Sequence, residues 1–334
     1  MMAKPKVFYD KDADLTILKD KIIAVIGYGN QGRAQSLNMR DSGLKVIVGN
    51  RKDEYYDIAV RDGFEVYSID RAVKLADVIC FLIPDEVQPA VFEKYIRPNL
   101  KEGAVLDFAS GYTVHFGFIE PPENIDVIMV APKMIGASVR ELYLKGTGCT
   151  SLVAVHQDYS GKALDYALAL AKAIGSTRSG AILTTFEEEA VTDLFGEQVL
   201  AGGQLFLLRF VFDLLVSAGY NPYVVLLELY MSGEAAEEAK KIVRMGLFKQ
   251  LSLHSPTSQY GQLTRGPRMI NKQAQETLRE ILDEIVDGRF AKEWELEKKA
   301  GYVRMRILKR KALEHPLNRF EEELRKMVKI ILPE

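Results

Sequence analysis

The 334-residue chain predicts an α/β Rossmann-like N-terminal domain followed by an all-α C-terminal domain. Three observations carry this: a glycine turn between a strand and a helix, strand–helix alternation over the first half, and long helical patterns over the second. Residues 21–43 read KIIAVIGYGNQGRAQSLNMRDSG. The β-branched run Ile22–Ile26 ends in Gly27-Tyr28-Gly29-Asn30-Gln31-Gly32, and a helical pattern continues to Gly43. In that context G-x-G-x-x-G is a dinucleotide signature. Gly27 permits the turn, Gly29 lets backbone approach a pyrophosphate, and Gly32 lets the helix pack on the strand. The unpaired N–H groups of the helix start then face the anion.

Strand-like segments recur at Lys45–Gly49, Phe64–Tyr67, Val78–Ile83, Ala104–Phe108, Asp126–Ala131 and Leu152–His156, with helical patterns between several of them. This alternation predicts a parallel sheet covered on both faces, with ligands at the carboxyl ends of its strands. Three polar loops fall at such ends: Asn50–Glu54, Pro84–Gln88 and Ser110–Thr113. The second strand ends Gly49-Asn50-Arg51-Lys52, two cations without the acid that would hold a ribose 2′-hydroxyl. That suits a 2′-phosphate, hence NADPH. Asp53 and Glu54 follow at once and leave NADH open.

From Thr184 the patterns turn helical: Thr184–Ala218, Asn221–Leu247, Lys272–Gly288, Ala291–Lys311 and Leu317–Leu332, punctuated by Gly219, Pro222, Gly288 and Pro316. The boundary is expected near Ser179–Thr185, dividing the chain into 1–182 and 183–330. Within the second part, Glu189, Asp193 and Glu197 are four apart and share a helix face, where like charges repel. No Lys or Arg lies between Glu187 and Arg209 to relieve them locally. A hard divalent cation such as Mg²⁺ would turn the repulsion into attraction; a solvated acidic face is the alternative.

A net charge of −2 favours neither nucleic acid nor a membrane surface. Two cysteines, Cys80 and Cys149, form no disulfide framework, and a reduced, cytoplasmic setting is expected. The charged stretch Lys4–Asp14 is no signal segment, and no apolar run is expected to span a bilayer.

The chain resembles ketol-acid reductoisomerase (acetohydroxy acid isomeroreductase), in the short form with one knotted helical domain. The matching pieces are spread over nearly the whole length. They include GYGNQGRAQSLNMRDSG (27–43), LIPDEVQ (82–88), HFG (115–117), APK (131–133), TTFEEE and TDLFGEQ (184–198), AGYNP (218–222) and YGQLTRGPRMI (260–270). TDLFGEQ with YGQLTRGPR downstream is highly specific and argues against a 6-phosphogluconate dehydrogenase type. The resemblance implies NADPH, two Mg²⁺ ions, and alkyl migration followed by reduction. Its substrates are 2-acetolactate and 2-aceto-2-hydroxybutyrate, on the valine and isoleucine route.

By resemblance, Asp193 bridges both metals, Glu197 completes the first, and Glu228 reaches the second, usually from the partner subunit of at least a dimer. Lys133 is a proton relay and Ser255 binds the substrate carboxylate. Arg51 contacts the 2′-phosphate, and Pro84, Asp85, Gln88 and Gly136 join the glycine turn and Lys52 around the cofactor.

The chain departs from the family at three places. Ser110 stands where the family has a catalytic histidine, and serine cannot titrate near neutrality. Ser232 replaces a second metal-binding glutamate, with Glu234 off that face. Met134-Ile135-Gly136 replaces Gly-Pro-Gly. Full reductoisomerase activity, a 2-keto acid reductase without isomerisation, and a non-catalytic cofactor-binding subunit are the readings these leave open.

Overall fold

The computed structural model describes residues 4–329, so the end of the last expected helix, 330–332, lies outside the described residues. The chain divides into two compact units, one running to Thr192 and the other from Asp193.

Among the described residues the first unit holds a nine-stranded sheet. Its strands are β1 (Val7–Phe8), β2 (Ile22–Ile26), β3 (Lys45–Gly49), β4 (Val66–Tyr67), β5 (Val78–Phe81), β6 (Val105–Phe108), β7 (Asp126–Pro132), β8 (Ser151–Gln157) and β9 (Ala181–Leu183). They lie in the order β1-β9-β8-β7-β6-β5-β2-β3-β4. From β7 across to β4 all neighbours are parallel, as the alternation predicts. The far edge corrects that expectation: β8 is antiparallel to β7, from Val127 opposite Gln157 to Pro132 opposite Ser151, and β1 is antiparallel to β9. Strand–helix alternation carries no information on direction, and β1 and β9 are too short to show a period of two.

The unit's helices are α1 (Asn30–Asp41), α2 (Glu54–Arg61), α3 (Ile69–Leu75), α4 (Gln88–Val91), α5 (Tyr112–His115), α6 (Gly136–Leu144) and α7 (Ala163–Ala173). Successive residues of β2 feed opposite cores. Ile23 and Val25 join Cys80, Val130 and Leu168, whereas Ala24 and Ile26 join Ile79, Phe81, Leu106 and Phe108. Both sheet faces are therefore buried, which is why these strands read as continuous apolar runs.

A carboxylate interrupts that core at β6. Asp107 of β6 is opposite Cys80 of β5 and only 1% exposed, and its Oδ1 has no hydrogen-bond partner. Burial holds its carboxyl well above the usual carboxylate range, against hydrogen bonds from the Cys80 thiol and the Val130 backbone. A folded-state pKa raised above the unfolded one gives full stability below the unfolded value and loses it as pH rises toward the folded one. The loss runs at about 1.4 kcal/mol per pH unit within that window. Asp107→Asn removes the titration, so its melting temperature should gain on the parent's between pH 5 and pH 8. Each kcal/mol regained is worth about 2–4 °C. Parallel melting curves of the two proteins against pH would refute it.

The helical elements that follow are α8 (Phe186–Phe195, which crosses the unit boundary), α9 (Gly202–Ser217), α10 (Pro222–Leu226), α11 (Glu234–Met245), α12 (Pro256–Met269), α13 (Lys272–Val286), α14 (Arg289–Lys299), α15 (Val303–Leu313) and α16 (Pro316–Met327). Wide π-helical turns occupy Gly196–Ala201 and Leu227–Met231. Two expected helices are broken. The 221–247 pattern stops at Gly233 (φ 89°), and 291–311 stops at Gly301 and Tyr302 (φ 75° and 60°), left-handed conformations that no α-helix continues through. Helix α12, with Gly261, Gly266 and Pro267 inside it, shows no helical pattern in sequence.

The helical unit has a small core of its own, Phe212, Val225, Leu226, Met231 and Leu324. On α9 it exposes Leu205, Phe206, Phe210 and Leu214. The expectation that no segment could span a bilayer is corrected on length and composition: residues 186–217 form one 32-residue helix apolar enough to do so.

Candidate active site

The glycine turn connects β2 to α1 at the point where the sheet order reverses, between β3 on one side and β5 on the other. Its geometry follows from its glycines. A Cβ on Gly32 would stand 2.1 Å from the Gly27 carbonyl oxygen, so only glycine lets the helix start this close to the strand. At Gly29 a Cβ would meet nothing within 4 Å, leaving open space over the unpaired N–H groups at the start of α1. That is the space and polarity a pyrophosphate requires.

The neighbouring side chains are engaged with protein. The Tyr28 ring is buried with Val48, Ala59 and Phe64, and its hydroxyl donates to Asp62 Oδ2 at 2.9 Å. Asn30 Oδ1 accepts from the Ala137 backbone at 3.2 Å, and Gln31 Nε2 donates to the Met134 carbonyl at 2.8 Å. A Cβ on Gly136 would lie 2.0 Å from the Asn30 carbonyl oxygen, so this glycine lets the 134–137 loop close on the turn. Met134 and Ile135 are exposed there.

All three polar loops lie at carboxyl ends of parallel strands. After β3, Arg51 is 84% exposed and its Nε pairs with Asp53 Oδ2 at 2.7 Å; Lys52 is exposed. Asp53 itself caps α2, accepting from the Tyr55 and Tyr56 backbones at 3.0 and 3.2 Å. The acid that blurs the cofactor signal in sequence therefore serves a helix end. After β5, Pro84 is exposed and Asp85 half-buried, while buried Gln88 donates to the Ile83 carbonyl and Asp85 and accepts from Thr113. After β6, Ser110 Oγ accepts from the Tyr112 backbone at 3.2 Å.

The acidic segment behaves differently from its sequence pattern. Glu189 is 1% exposed; Lys133 Nζ donates to its Oε1 at 2.6 Å and the Gly111 backbone to its Oε2 at 2.7 Å. A cation from 56 residues away thus relieves the carboxylate that has no cation nearby in sequence. Sequence reading missed this link because nothing local signals it. Asp193 and Glu197 are exposed, one turn apart, and Glu197 lies in the first π-turn. Glu228 is exposed in the second π-turn, which ends at Ser232. Among the described residues no three His, Cys, Asp or Glu side chains gather closely enough to hold an ion, so one chain does not bring Asp193, Glu197 and Glu228 together. Ser255 caps α12, its Oγ accepting from Ser258 at 3.3 Å.

A dinucleotide turn at the switch point of the sheet, with an ion-paired lysine at the end of β7 in the same sheet, defines the class of nicotinamide-dependent oxidoreductases with a helical second unit. Two family models match: "Acetohydroxy acid isomeroreductase, NADPH-binding domain" over residues 17–180, and "Ketol-acid reductoisomerase, C-terminal domain" over 186–330. The chain belongs to the ketol-acid reductoisomerase family.

It is 51% identical over 328 residues to "Ketol-acid reductoisomerase (NADP(+))" of Methanocaldococcus jannaschii, covering 96% of this chain and 98% of the other. It is 51% identical over 325 residues to the protein of the same name in Pyrobaculum aerophilum, at 97% and 98% coverage. Among solved structures it matches an NADH-preferring ketol-acid reductoisomerase from an uncultured archaeon with TM-score 0.92 and 40% identity, covering 97% and 99% of the two chains. A semialdehyde dehydrogenase NAD-binding protein from Cupriavidus necator, at 17% identity and TM-score 0.62, shares the fold alone.

Proposed function

We propose that the chain is an NADPH- and Mg²⁺-dependent ketol-acid reductoisomerase. In this reading it converts 2-acetolactate or 2-aceto-2-hydroxybutyrate to the 2,3-dihydroxy acid, by alkyl migration and then reduction, in branched-chain amino acid biosynthesis. The observation that carries the reading is the Lys133–Glu189 pair in a loop fastened to the glycine turn. An ammonium group held by a carboxylate in that loop, able to hold or move a proton, supports the reading.

Gly27 to Gly32 with Gly136 shape the cradle, and Arg51 and Lys52 supply the cations for a 2′-phosphate. Asp53 already holds Arg51, which lowers the cost of accepting NADH instead. Pro84 and Asp85 edge the next strand end, and Gln88 ties that loop to the one bearing Ser110. Asp193 and Glu197 offer the oxygen donors a hard cation prefers, and they fit Mg²⁺ by chemistry. Two carboxylates are an incomplete set, so Glu228 would come from a second copy of the chain. When bound, Mg²⁺ polarises the substrate's oxygens. Ser255, at the start of a 14-residue helix, suits a substrate carboxylate.

We further infer that this second copy covers the apolar face of α9, in preference to a bilayer, giving at least a homodimer. The two cysteines, both buried, suit a cytoplasmic enzyme.

The test follows NADPH absorbance with Mg²⁺ and 2-acetolactate, beside 3-hydroxy-3-methyl-2-oxobutyrate. Oxidation with acetolactate supports the full reaction. Oxidation with the keto acid alone indicates that Ser110 and Ser232 have left only the reductase half, and silence with both overturns the reading. Sedimentation showing a monomer at micromolar protein would overturn the dimer.

A further inference from the structure

Helix α2 is fixed at both ends to parts of the cofactor cradle. At its start Asp53 caps it and holds Arg51, the cation offered to a 2′-phosphate. At its end stands Asp62, whose Oδ2 accepts both from the Tyr28 hydroxyl at 2.9 Å and from Arg33 Nε at 2.7 Å, while its Oδ1 accepts from Arg33 at 3.2 Å. The Asp62 carbonyl also accepts from Arg40 at 2.5 Å. Tyr28 lies inside the glycine turn, Arg33 in the first turns of α1, and Arg40 in its last. Tyr28 is 1% exposed, so its hydroxyl reaches Asp62 from within the core. The carboxylate thus joins three segments that a dinucleotide has to meet together: the pyrophosphate turn, the helix that opens from it, and the helix that carries the 2′-phosphate loop.

We propose that Asp62 is a positioning residue for NADPH, holding α2 as a strut that keeps the Arg51–Asp53 loop in register with the glycine turn. It touches neither cofactor nor substrate; it acts through Tyr28, Arg33 and α2. This rests on the cofactor reading above. NADPH needs the pyrophosphate turn and the 2′-phosphate loop at a fixed separation, whereas NADH presents only a neutral 2′-hydroxyl to that loop and draws less binding from it. Loss of the strut therefore weakens NADPH more than NADH, a discrimination that general destabilisation does not produce. Charge-assisted hydrogen bonds to a partly buried carboxylate are among the stronger polar contacts, so the effect is measurable.

The experiment measures steady-state KM and kcat for NADPH and NADH, and binding of 2′,5′-ADP, in the parent, Asp62→Ala, Asp62→Asn and Tyr28→Phe. In Asp62→Ala the KM for NADPH should rise about tenfold, with that for NADH rising less than twofold and kcat within twofold. Binding of 2′,5′-ADP should weaken in parallel. Asp62→Asn, which still accepts from Tyr28, should recover part of the loss. Tyr28→Phe, a milder change should the alanine variant not fold, should shift the NADPH-to-NADH ratio in the same direction. Equal shifts for the two cofactors, or none, overturn the strut while leaving the cradle intact. Failure of the parent to bind NADPH or 2′,5′-ADP overturns the cradle and the strut with it.

Discussion

Asp193→Asn should leave the protein folded and NADPH binding unchanged but lower turnover about a thousandfold, the scale of ~4 kcal/mol of lost transition-state stabilisation. Asparagine keeps the shape of the side chain and removes its charge. Asp193 is exposed on its helix, so the substitution creates no cavity. What it removes is an anionic donor to a hard cation, for which a neutral amide oxygen is a weak replacement. The measurement is turnover against Mg²⁺ concentration, with cofactor binding followed separately by fluorescence. Activity surviving at ordinary Mg²⁺ would end the assignment of a metal to this helix.

The second large effect is expected at the ion pair. In Glu189→Gln the Lys133 ammonium loses the Glu189 carboxylate, while the amide still accepts from Gly111 or Lys133. In Lys133→Met the reverse happens, and a carboxylate 1% exposed keeps only a backbone donor. Removing one partner of such a pair costs more than the pair contributes, because the remaining charge stays desolvated. Lys133 is 36% exposed, so solvent tempers the loss to on the order of 2–3 kcal/mol. The melting temperature should fall by roughly 5–10 °C in either variant, and kcat by about a hundredfold, the scale general acid–base groups contribute. Calorimetry and steady-state rates check both numbers. Variants that melt and turn over like the parent would show the pair to be incidental to stability and chemistry alike.

What the sequence made legible was what depends on neighbours along the chain. The glycine turn, the parallel strands either side of it, and the polar loops at their carboxyl ends follow from residues within a few positions of one another. The mixed edge did not, because direction is decided by where a strand returns. Helix α12 was hidden by the helix-weakening Gly261, Gly266 and Pro267, although Ser255 followed by Pro256 is a helix-start signal that could have revealed it. The break at Gly233 was concealed within an otherwise amphipathic stretch. At the site, Glu189 looked like one member of an acidic row until Lys133 and Gly111, distant in sequence, took up its carboxylate. Asp62 carried no signal at all, since its meaning lies in the Tyr28 hydroxyl that reaches it.

The π-turn at Gly196–Ala201 has a consequence for how this helix tolerates change in length. The 32-residue segment stays helical through it, yet one widened turn absorbs one residue more than an α-turn would. Each residue of an α-helix is about 100° of rotation, and the widened turn takes up that rotation for its extra residue. Deleting one residue from the turn would regularise the helix and leave the apolar stripe of α9 close to its present phase, whereas a deletion elsewhere between Asp193 and α9 would swing it about a quarter of the way round the axis. The turn is in effect a splice, where a residue can be removed without turning one side of the helix against the other.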